Sequence, residues 1–439
     1  MIDHEPVTCT ITAMQQPDPA IWDESTMLRV LFIRDIAGIF RLLKHHGFTQ
    51  RQLAELCGMK QNQVSEILKG RQVMAYDVLV RICEGLGAPR GYMGLSYDEE
   101  LPQEVSEEMK RRALMAAGSI ALFGSPILGE VLHIPVRPQT PTPLPSRLGA
   151  SDVTAMRSLT ESLRTVARTY GGGAEVITGV AHRSLPLMSV SASDEVQVAM
   201  ASALANLHNM AGWTCVDSGL HDQARVCFAK AMDLAKIAND SKEMTSAFHH
   251  AGIQMRDAGA YNDALKAFQI GLVGAESPQS IAWLHGETAW PWALMGYPEH
   301  ALTGLKKSRE QPLTDPFELA EMDYLTACVY WKLGKLDRAE NIAISSVRKW
   351  EDEGVAKRDS VEADILLATL HASAGEPDTV MLARKAISGV AGLQSVRARQ
   401  VKLVPLVQAL ETRHTRQDFK DLAVHARRVI QSVRQPVNL

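Results

Sequence analysis

Glycine recurs in the second half of the sequence at intervals of 37 to 41 residues, and this recurrence restricts the fold more than any other feature. A small residue stands seven positions before each of these glycines, and Ala or Val stands five positions after. The recurring glycines are Gly219, Gly259, Gly296, Gly334 and Gly375. Small residues at fixed offsets let two antiparallel helices approach closely, and a glycine makes the turn between them. The spacing therefore predicts an array of stacked helix pairs.

Length and composition agree with such an array joined to a smaller unit. The chain has 439 residues, of which 46% are hydrophobic and 22% are charged, as in folded globular proteins. Changes in the pattern divide it into four parts. We predict a mobile leader at 1–26, a compact helical head at 27–97, an acidic, apolar and Pro-rich connector at 98–150, and a helical repeat body at 151–439. The predicted fold class is all-α.

Sequence motifs for catalysis, metal binding and export are missing. The six cysteines form no C-x-x-C pair, and no HExxH, P-loop or GxSxG motif occurs. We therefore expect a protein that is not an enzyme and that holds no metal or cofactor. The N-terminal residues lack an export signal, which favours a cytoplasmic location. We expect the apolar stretch at 113–129 to form a buried or interface-packing helix, with membrane contact as the alternative.

The head contains short apolar helices that end at glycines. Its segment GFTQRQLAELCGMKQNQVSEILKGR, residues 47–71, resembles the helix-turn-helix of the Cro and phage-repressor family, also called the XRE family. Thr49 opens the first helix of the motif, Ala54 packs at the helix crossing and Gly58 makes the turn. The resemblance implies that residues 61–69 form a recognition helix, which enters the major groove of a double-stranded DNA operator.

Amide and basic side chains occupy the positions of this motif that meet DNA. Amides can bond to adenine from the start of the recognition helix, and basic residues at its ends match positions that contact phosphates. The predicted DNA-binding residues are Gln50, Lys60, Gln61, Asn62, Gln63, Ser65, Lys69 and Arg71. Leu43 and Leu68 depart from the family, which often has an Arg–Glu pair there, and Lys60 replaces a capping Ser. The alternative for the amides is an ordinary solvated helix start.

Charge is divided unevenly along the chain. Its net charge is −4, yet residues 27–97 hold ten basic and five acidic side chains, so that the head carries +5 and the remainder −9. Neutralisation of phosphates is the largest sequence-independent contribution to DNA affinity. The charge pattern therefore predicts that the head faces DNA.

The offsets of the repeat body resemble those of the tetratricopeptide repeat, although the spacing exceeds the usual length of about 34 residues. In such arrays the first helix of each pair lines a concave face. This frame predicts a ligand-binding surface rich in aromatic and amide groups, which suits a peptide or a small apolar signal. Its residues are Asn206, Asn209, Trp213, His249, Arg256, Trp283, Trp290, Tyr324 and Trp331, with Ile253 and Glu321 on the same surface. The alternative places these tryptophans in the core, as we expect for Trp292.

Two longer stretches, SEILKGRQVMAYDVLVRICEGLGAPRGYMGLSYDEE and TESLRTVARTYGGG, look like a set of actinobacterial regulators that join such a head to tetratricopeptide repeats. That resemblance implies control of developmental or secondary-metabolite genes. We therefore predict a sequence-specific, DNA-binding transcription regulator that forms a homodimer and senses a peptide, a small molecule or a partner protein. The alternative is a protein-interaction scaffold whose head does not read DNA.

Overall fold

The protein folds into two compact units, one formed before and one after position 102 of the chain. The computed structural model describes residues 16–32, 34–71, 73, 76–93, 95, 144–353, 357–412 and 416–432. Within these ranges the regular structure is helical, without strands, which confirms the predicted all-α class. The predicted connector and the apolar stretch at 113–129 lie outside the described residues, except for the last residues of the connector from 144 onward.

Five α-helices form the head. They are α1 (Ser25–Phe32), α2 (Ile36–His45), α3 (Gln50–Leu56), α4 (Gln61–Leu68) and α5 (Tyr76–Leu86). Their apolar faces share one core, in which Phe40, Leu43 and Leu53 are fully buried. Short helices at Pro19–Asp23 and Arg90–Met93 flank the bundle. Because every helix is short, the stability of the head depends on this shared core rather than on any one helix.

The head begins earlier than the sequence predicts. The short helix at Pro19–Asp23 places Trp22 in the core of the head, where only 2% of its surface is exposed. The amide of Gln16 also donates to the backbone oxygens of Glu84 and Gly85 at the end of α5. The boundary predicted at residue 26 is therefore corrected, because residues 16–26 belong to the head; residues 1–15 lie outside the described part of the chain.

The body is a succession of antiparallel helices, each packed mainly on its neighbours in sequence. The α-helices are α6 (Ala150–Tyr170), α7 (Ala174–Ser184), α8 (Asp194–Asp217), α9 (His221–Ala238), α10 (Ser241–Asp257), α11 (Tyr261–Val273), α12 (Pro278–Leu294), α13 (Pro298–Arg309), α14 (Pro316–Lys332), α15 (Leu336–Glu353), α16 (Lys357–Ala374), α17 (Thr379–Gly392), α18 (Val404–Glu411) and α19 (Gln417–Gln431). A π-helix at Ala398–Lys402 precedes α18. This succession confirms the predicted helical repeat array; its assignment to the tetratricopeptide type stays a prediction.

The recurring small residues make the contacts that the sequence predicts. Gly219 adopts a φ of +74° in the turn between α8 and α9, a conformation that other residues rarely adopt. Seven residues earlier, Gly212 lies against the ring of Phe228, so closely that a Cβ atom would come within 2.4 Å of the ring. Gly252 and Phe268 repeat this contact in the next pair. The glycines therefore serve both the turns and the close approach of paired helices.

The residues after α17, at 393–397, return to the first helices of the body, and we call them the closing segment. The Asp217 carboxylate at the end of α8 accepts hydrogen bonds from the Ser395 hydroxyl at 2.6 Å and from the Gly172 backbone N–H at 2.7 Å. The Gln394 backbone N–H donates to the Tyr170 carbonyl oxygen at 2.8 Å. Contact between α6 and α16 adds to this closure. The closing segment therefore joins the last helix pairs of the body to the first.

Candidate DNA-binding helix and body cavity

Local sequence determines how α3 and α4 are arranged in the head. Thr49 and Gln52 form a reciprocal cap, in which the Thr49 hydroxyl accepts from the Gln52 backbone N–H at 3.3 Å and the Gln52 side chain accepts from the Thr49 N–H at 2.8 Å. Gly58 turns the chain with a φ of +58°. Val64 and Ile67 of α4 are buried in the core. The opposite face of α4 is consequently held at the surface.

The outer face of α4 carries the predicted amides. Gln61 and Asn62 are exposed at its first turn, whereas Gln63 and Ser65 are half-buried. The Gln63 side-chain oxygen accepts from the Lys60 backbone N–H at 2.9 Å, as in a capping box, but the Lys60 side chain makes no cap hydrogen bond of the kind that Ser would make. Gln63 therefore has part of its hydrogen-bonding capacity engaged within the helix, and the two preceding amides remain available at the surface.

The predicted phosphate-binding groups surround this helix. Lys60 and Lys69 are exposed, and Gln50 is half-buried at the start of α3. Arg71 is exposed as well, and its guanidinium pairs with the Glu66 carboxylate at 2.5 Å. Exposed pairs of this kind contribute only about 0–1 kcal/mol, so a phosphate can replace Glu66 as the partner of Arg71 at little cost.

Leu43 and Leu68, which depart from the family pattern, both pack in the head. Leu43 is fully buried and Leu68 lies partly buried against the same core. The Arg41 guanidinium donates to the Leu68 carbonyl oxygen at 3.4 Å. Apolar packing thus occupies the place of the usual ion pair without leaving a buried charge.

Two short helices joined by a glycine turn, the second exposing polar side chains, define a helix-turn-helix. The family model described as a helix-turn-helix domain matches residues 35–91. The head is therefore a helix-turn-helix domain, and the match does not extend into the body. A search of curated proteins gave no match to this chain.

Most of the predicted ligand-binding residues come together around one cavity of about 290 Å³ in the body. Those that line it are Trp213, His249, Ile253, Arg256, Trp283, Trp290, Glu321 and Tyr324. Trp331 lines an adjoining cavity of about 200 Å³, which shares Arg256, Trp290 and Tyr324 with the first. Trp292 is fully buried in the core, as predicted. Their part in binding a ligand stays a prediction.

Asn206 and Asn209 do not line the cavity. The Asn206 side chain accepts from Arg164 at 2.8 Å and donates to Glu243 at 2.9 Å. The Asn209 amide donates to the Ser246 hydroxyl at 2.7 Å. Both amides are occupied in bonds between helices, because at the crossing of α8 and α10 they face a neighbouring helix instead of the cavity.

Aromatic rings form much of the cavity wall. The Trp213 and His250 rings lie 5.2 Å apart, and those of His249 and Trp283 lie 5.5 Å apart, measured between centroids. Burial, together with the charge of Arg256, lowers the pKa of His249 to about 3. Burial also lowers the pKa of His250 well below its ordinary value. Both imidazoles are therefore neutral near pH 7 and present flat, uncharged faces.

A network of buried ion pairs forms the floor between the two cavities. Arg397 places Nε 2.6 Å from an Asp257 oxygen and Nη1 2.8 Å from a Glu362 oxygen. Lys402 Nζ lies 3.4 Å from the second Glu362 oxygen. The members are Arg256, Asp257, Glu287, Glu362, Arg397 and Lys402. Separating one partner from a buried pair leaves an uncompensated charge, which is strongly unfavourable. The paired side chains therefore stay together and hold this part of the wall in place.

Carboxyl groups on the wall titrate differently because their neighbours differ. Burial alone would raise the pKa of Glu362, but the charges of Arg397, Lys402 and Arg358 lower it to about 2. Burial raises the pKa of Glu321 to about 8, with help from the negative charges of Asp359 and Glu362. Near neutral pH the Glu362 carboxyl group is ionised and the Glu321 carboxyl group is mostly protonated.

Several basic residues of the wall were not predicted. Arg397 and Lys402 follow the last helix pair and have no place in the repeat frame, so no sequence signal marks them. Arg168 lies in α6, before the first glycine of the series. Arg358 did carry a signal, because it stands 17 residues before a recurring glycine, as do three other wall residues. These three are Lys242, Gln279 and Phe317.

Neither a metal centre nor a membrane span is found in the described part of the chain. Within those ranges, no three His, Cys, Asp or Glu side chains come together as a metal site. No helix there is both long and apolar enough to cross a bilayer.

Proposed function

We propose that this protein is a sequence-specific transcription regulator of the cytoplasm, whose helix-turn-helix head reads a DNA operator. The observation that supports the proposal most is the exposure of Gln61 and Asn62 at the start of α4, the helix that such domains place in the major groove. Two amides there suit bidentate contacts with adenine. Lys60, Lys69 and Arg71 would bind the flanking phosphates and fix the register of α4 on the duplex.

Dimerisation belongs to this proposal. A single small head buries little surface on DNA, and tight specific binding usually requires two such modules. We propose a homodimer that prefers half-sites about 34 Å apart, or a multiple of that distance. Footprints that show one isolated half-site occupied by a monomer would contradict this part.

The body is proposed to sense a signal. A cavity with aromatic walls and charged groups is the kind of site that holds a small molecule or the side chains of a peptide. Binding there would change how readily the two heads of a dimer reach their half-sites. The resemblance to actinobacterial regulators supports target genes of development or secondary metabolism.

Gel-shift titrations at several salt concentrations test the DNA-binding proposal. The wild type should bind its operator with an affinity that falls steeply with salt, because phosphate contacts release counterions. Gln61→Ala should lose about 1–3 kcal/mol of discrimination between operator and unrelated DNA. Gln223→Ala, which removes an exposed glutamine from the first turn of α9 in the body, is the matched control and should behave as the wild type.

A second candidate function is a protein-interaction scaffold whose head does not read DNA. The extensive helical surface of the body favours it, because helical repeats often bind partner proteins along such surfaces. Equal affinity for operator and unrelated DNA, unchanged in Gln61→Ala, would support the scaffold and contradict the regulator.

A further inference from the structure

One arginine on the cavity wall lacks an anionic partner among the described residues; Lys242, which also lines the cavity and has no ion pair there, is exposed. Arg168 of α6 lines the cavity, and among the described residues no carboxylate or hydrogen-bond acceptor pairs with its guanidinium. Its guanidinium lies over the ring of Phe317, whose centroid is 4.4 Å from the Arg168 Cζ atom. The other arginines of the wall all have such partners: Arg256 and Arg397 in the buried network, Arg164 with Glu161 and Arg358 with Asp359.

Glu321 is a second wall group without a partner in the described part of the chain. Its carboxyl group borders the cavity and makes neither a hydrogen bond nor an ion pair there. Glu321 and Arg168 line the same cavity, and the charges of Arg358 and Asp359 act on the pKa of both groups. When protonated, the carboxyl group is a hydrogen-bond donor, like the guanidinium. Two donors on the wall of one cavity suit a ligand that brings acceptor oxygens.

Flat rings stand beside these donors. Phe317 lies under Arg168, and Trp213 lies 5.5 Å from the Arg358 Cζ atom. Trp283 faces the same space, with its ring nitrogen bonded to Glu318. Aromatic faces of this kind stack against planar groups and exclude water from them. The cavity therefore offers apolar faces and, next to them, hydrogen-bond donors.

We propose that the cavity binds a small organic monoanion in which a flat aromatic body carries a carboxylate group. The carboxylate would pair with Arg168 in the planar, two-bond geometry that arginine favours, and Glu321 would donate to it. The ring would lie among Phe317, Trp213 and Trp283. We expect a dianion such as a phosphate monoester to fit less well, because Arg168 is the arginine of the wall that lacks a partner among the described residues, whereas Glu318, Asp359 and Glu362 line the same cavity. The inference rests on the proposal that the body senses a ligand.

Calorimetric titration of the full chain tests this inference. The probes are benzoate, 2-naphthoate and indole-3-acetate, each compared with its uncharged primary amide, and phenyl phosphate. At least one carboxylate should bind about tenfold more tightly than its amide, the factor expected for one charge-assisted hydrogen bond. The preference should fall to about one in Arg168→Gln, while the affinity for the amide is retained.

Two further variants separate charge from folding. Arg168→Lys keeps the charge and should keep most of the preference for carboxylates. Arg157→Gln removes an exposed arginine from the same helix and should bind as the wild type does. Equal binding of every carboxylate and its amide, a preference that survives in Arg168→Gln, or tighter binding of phenyl phosphate than of benzoate would overturn the inference.

Failure of this inference differs from failure of the proposed function. If the inference alone fails, the protein still shifts its operator without any probe, and Gln61→Ala still loses discrimination. If the head does not read DNA, the gel shifts show no preference for the operator over unrelated DNA, whichever anions the body binds.

Discussion

Glu321 shows how one side chain makes the stability of the body depend on pH. Its carboxyl group is buried among charges on two helices, with Asp359 and Glu362 repelling its ionised form and Arg358 of α16 favouring it. Glu287 of α12 adds further repulsion. The balance raises the pKa of Glu321 to about 8, above the value of about 4.5 that it has in the unfolded chain. The folded state therefore binds a proton over a pH range in which the unfolded state has released it.

This difference predicts the pH profile of Glu321→Gln. The contribution of the protonated group to stability is complete below about pH 4.5 and is lost as the pH rises to about 8. The Gln side chain does not ionise. The free energy of unfolding of the variant, relative to that of the wild type, should therefore rise across this pH window by at most about 1.4 kcal/mol per pH unit. Urea unfolding of both proteins at pH 5, 7 and 9 measures the gain. If the free energies of unfolding of the two proteins change equally with pH, the Glu321 carboxyl group titrates as it does in water.

Helix pairs are the next scale, and close contacts determine how tightly they pack. In α8 and α9 the edge of the Phe228 ring lies over Gly212, and α10 and α11 repeat the arrangement with Gly252 and Phe268. A methyl group at either glycine would lie 2.4 Å from a ring carbon, well inside van der Waals contact. Both helices belong to a packed core, so the ring has little room to move.

Gly212→Ala should therefore destabilise the body, by about 1–3 kcal/mol, the usual cost of an overpacked core. Urea unfolding followed by circular dichroism measures the change. The matched control is Gly179→Ala in α7, where the nearest atom to a new Cβ is the mobile end of Arg183 at 3.2 Å. Alanine is the better helix former there, so the control should be neutral or more stable by up to about 1 kcal/mol. A Gly212→Ala protein as stable as its control would contradict the packing argument.

Individual elements differ in how well the sequence predicts them. The sequence predicts helix α4 at 61–69, and the helix spans Gln61–Leu68, because apolar spacing and glycine turns are local signals. The helix pairs of the body follow from their glycines in the same way. The short helix around Trp22 was missed because a single tryptophan among prolines has no periodicity. The ion pairs of Arg397 and Lys402 were missed because they join residues far apart in sequence, which no local pattern encodes.

At the scale of the whole molecule, the two main features are the uneven distribution of charge along the chain and the contacts of the closing segment with the first helices of the body. Residues 27–97 carry +5, but the head as the structure defines it, residues 16–97, also holds Asp18, Asp23 and Glu24 and carries +2, against −6 for the remainder of the chain. Within the body, Asp217 joins the first helices to the closing segment through hydrogen bonds to Gly172 and Ser395, and only 1% of its surface is exposed. Ser395 and Asp217 are 178 residues apart in sequence.

Loss of this carboxylate should weaken the whole body. Asp217→Ala leaves two donors without partners in a buried place, at a cost of about 3 kcal/mol to the free energy of unfolding. Differential scanning calorimetry should show a lower Tm for the body transition. Asp222→Ala, which removes an exposed aspartate paired with Arg225, should change stability by less than about 0.5 kcal/mol. Equal Tm values for the two variants would mean that the closing contact contributes little.

The return of the closing segment also bears on how long a folded molecule lasts. An open row of repeats interacts only with its nearest neighbours, so its ends unravel first and expose the chain to proteases one pair at a time. Here Asp217 in α8 is bonded to Ser395, which follows α17, so the row from α8 to α17 cannot open without breaking this contact. We therefore expect proteolysis within α8 to α17 to await an opening that breaks this contact, instead of proceeding one helix pair at a time from an end.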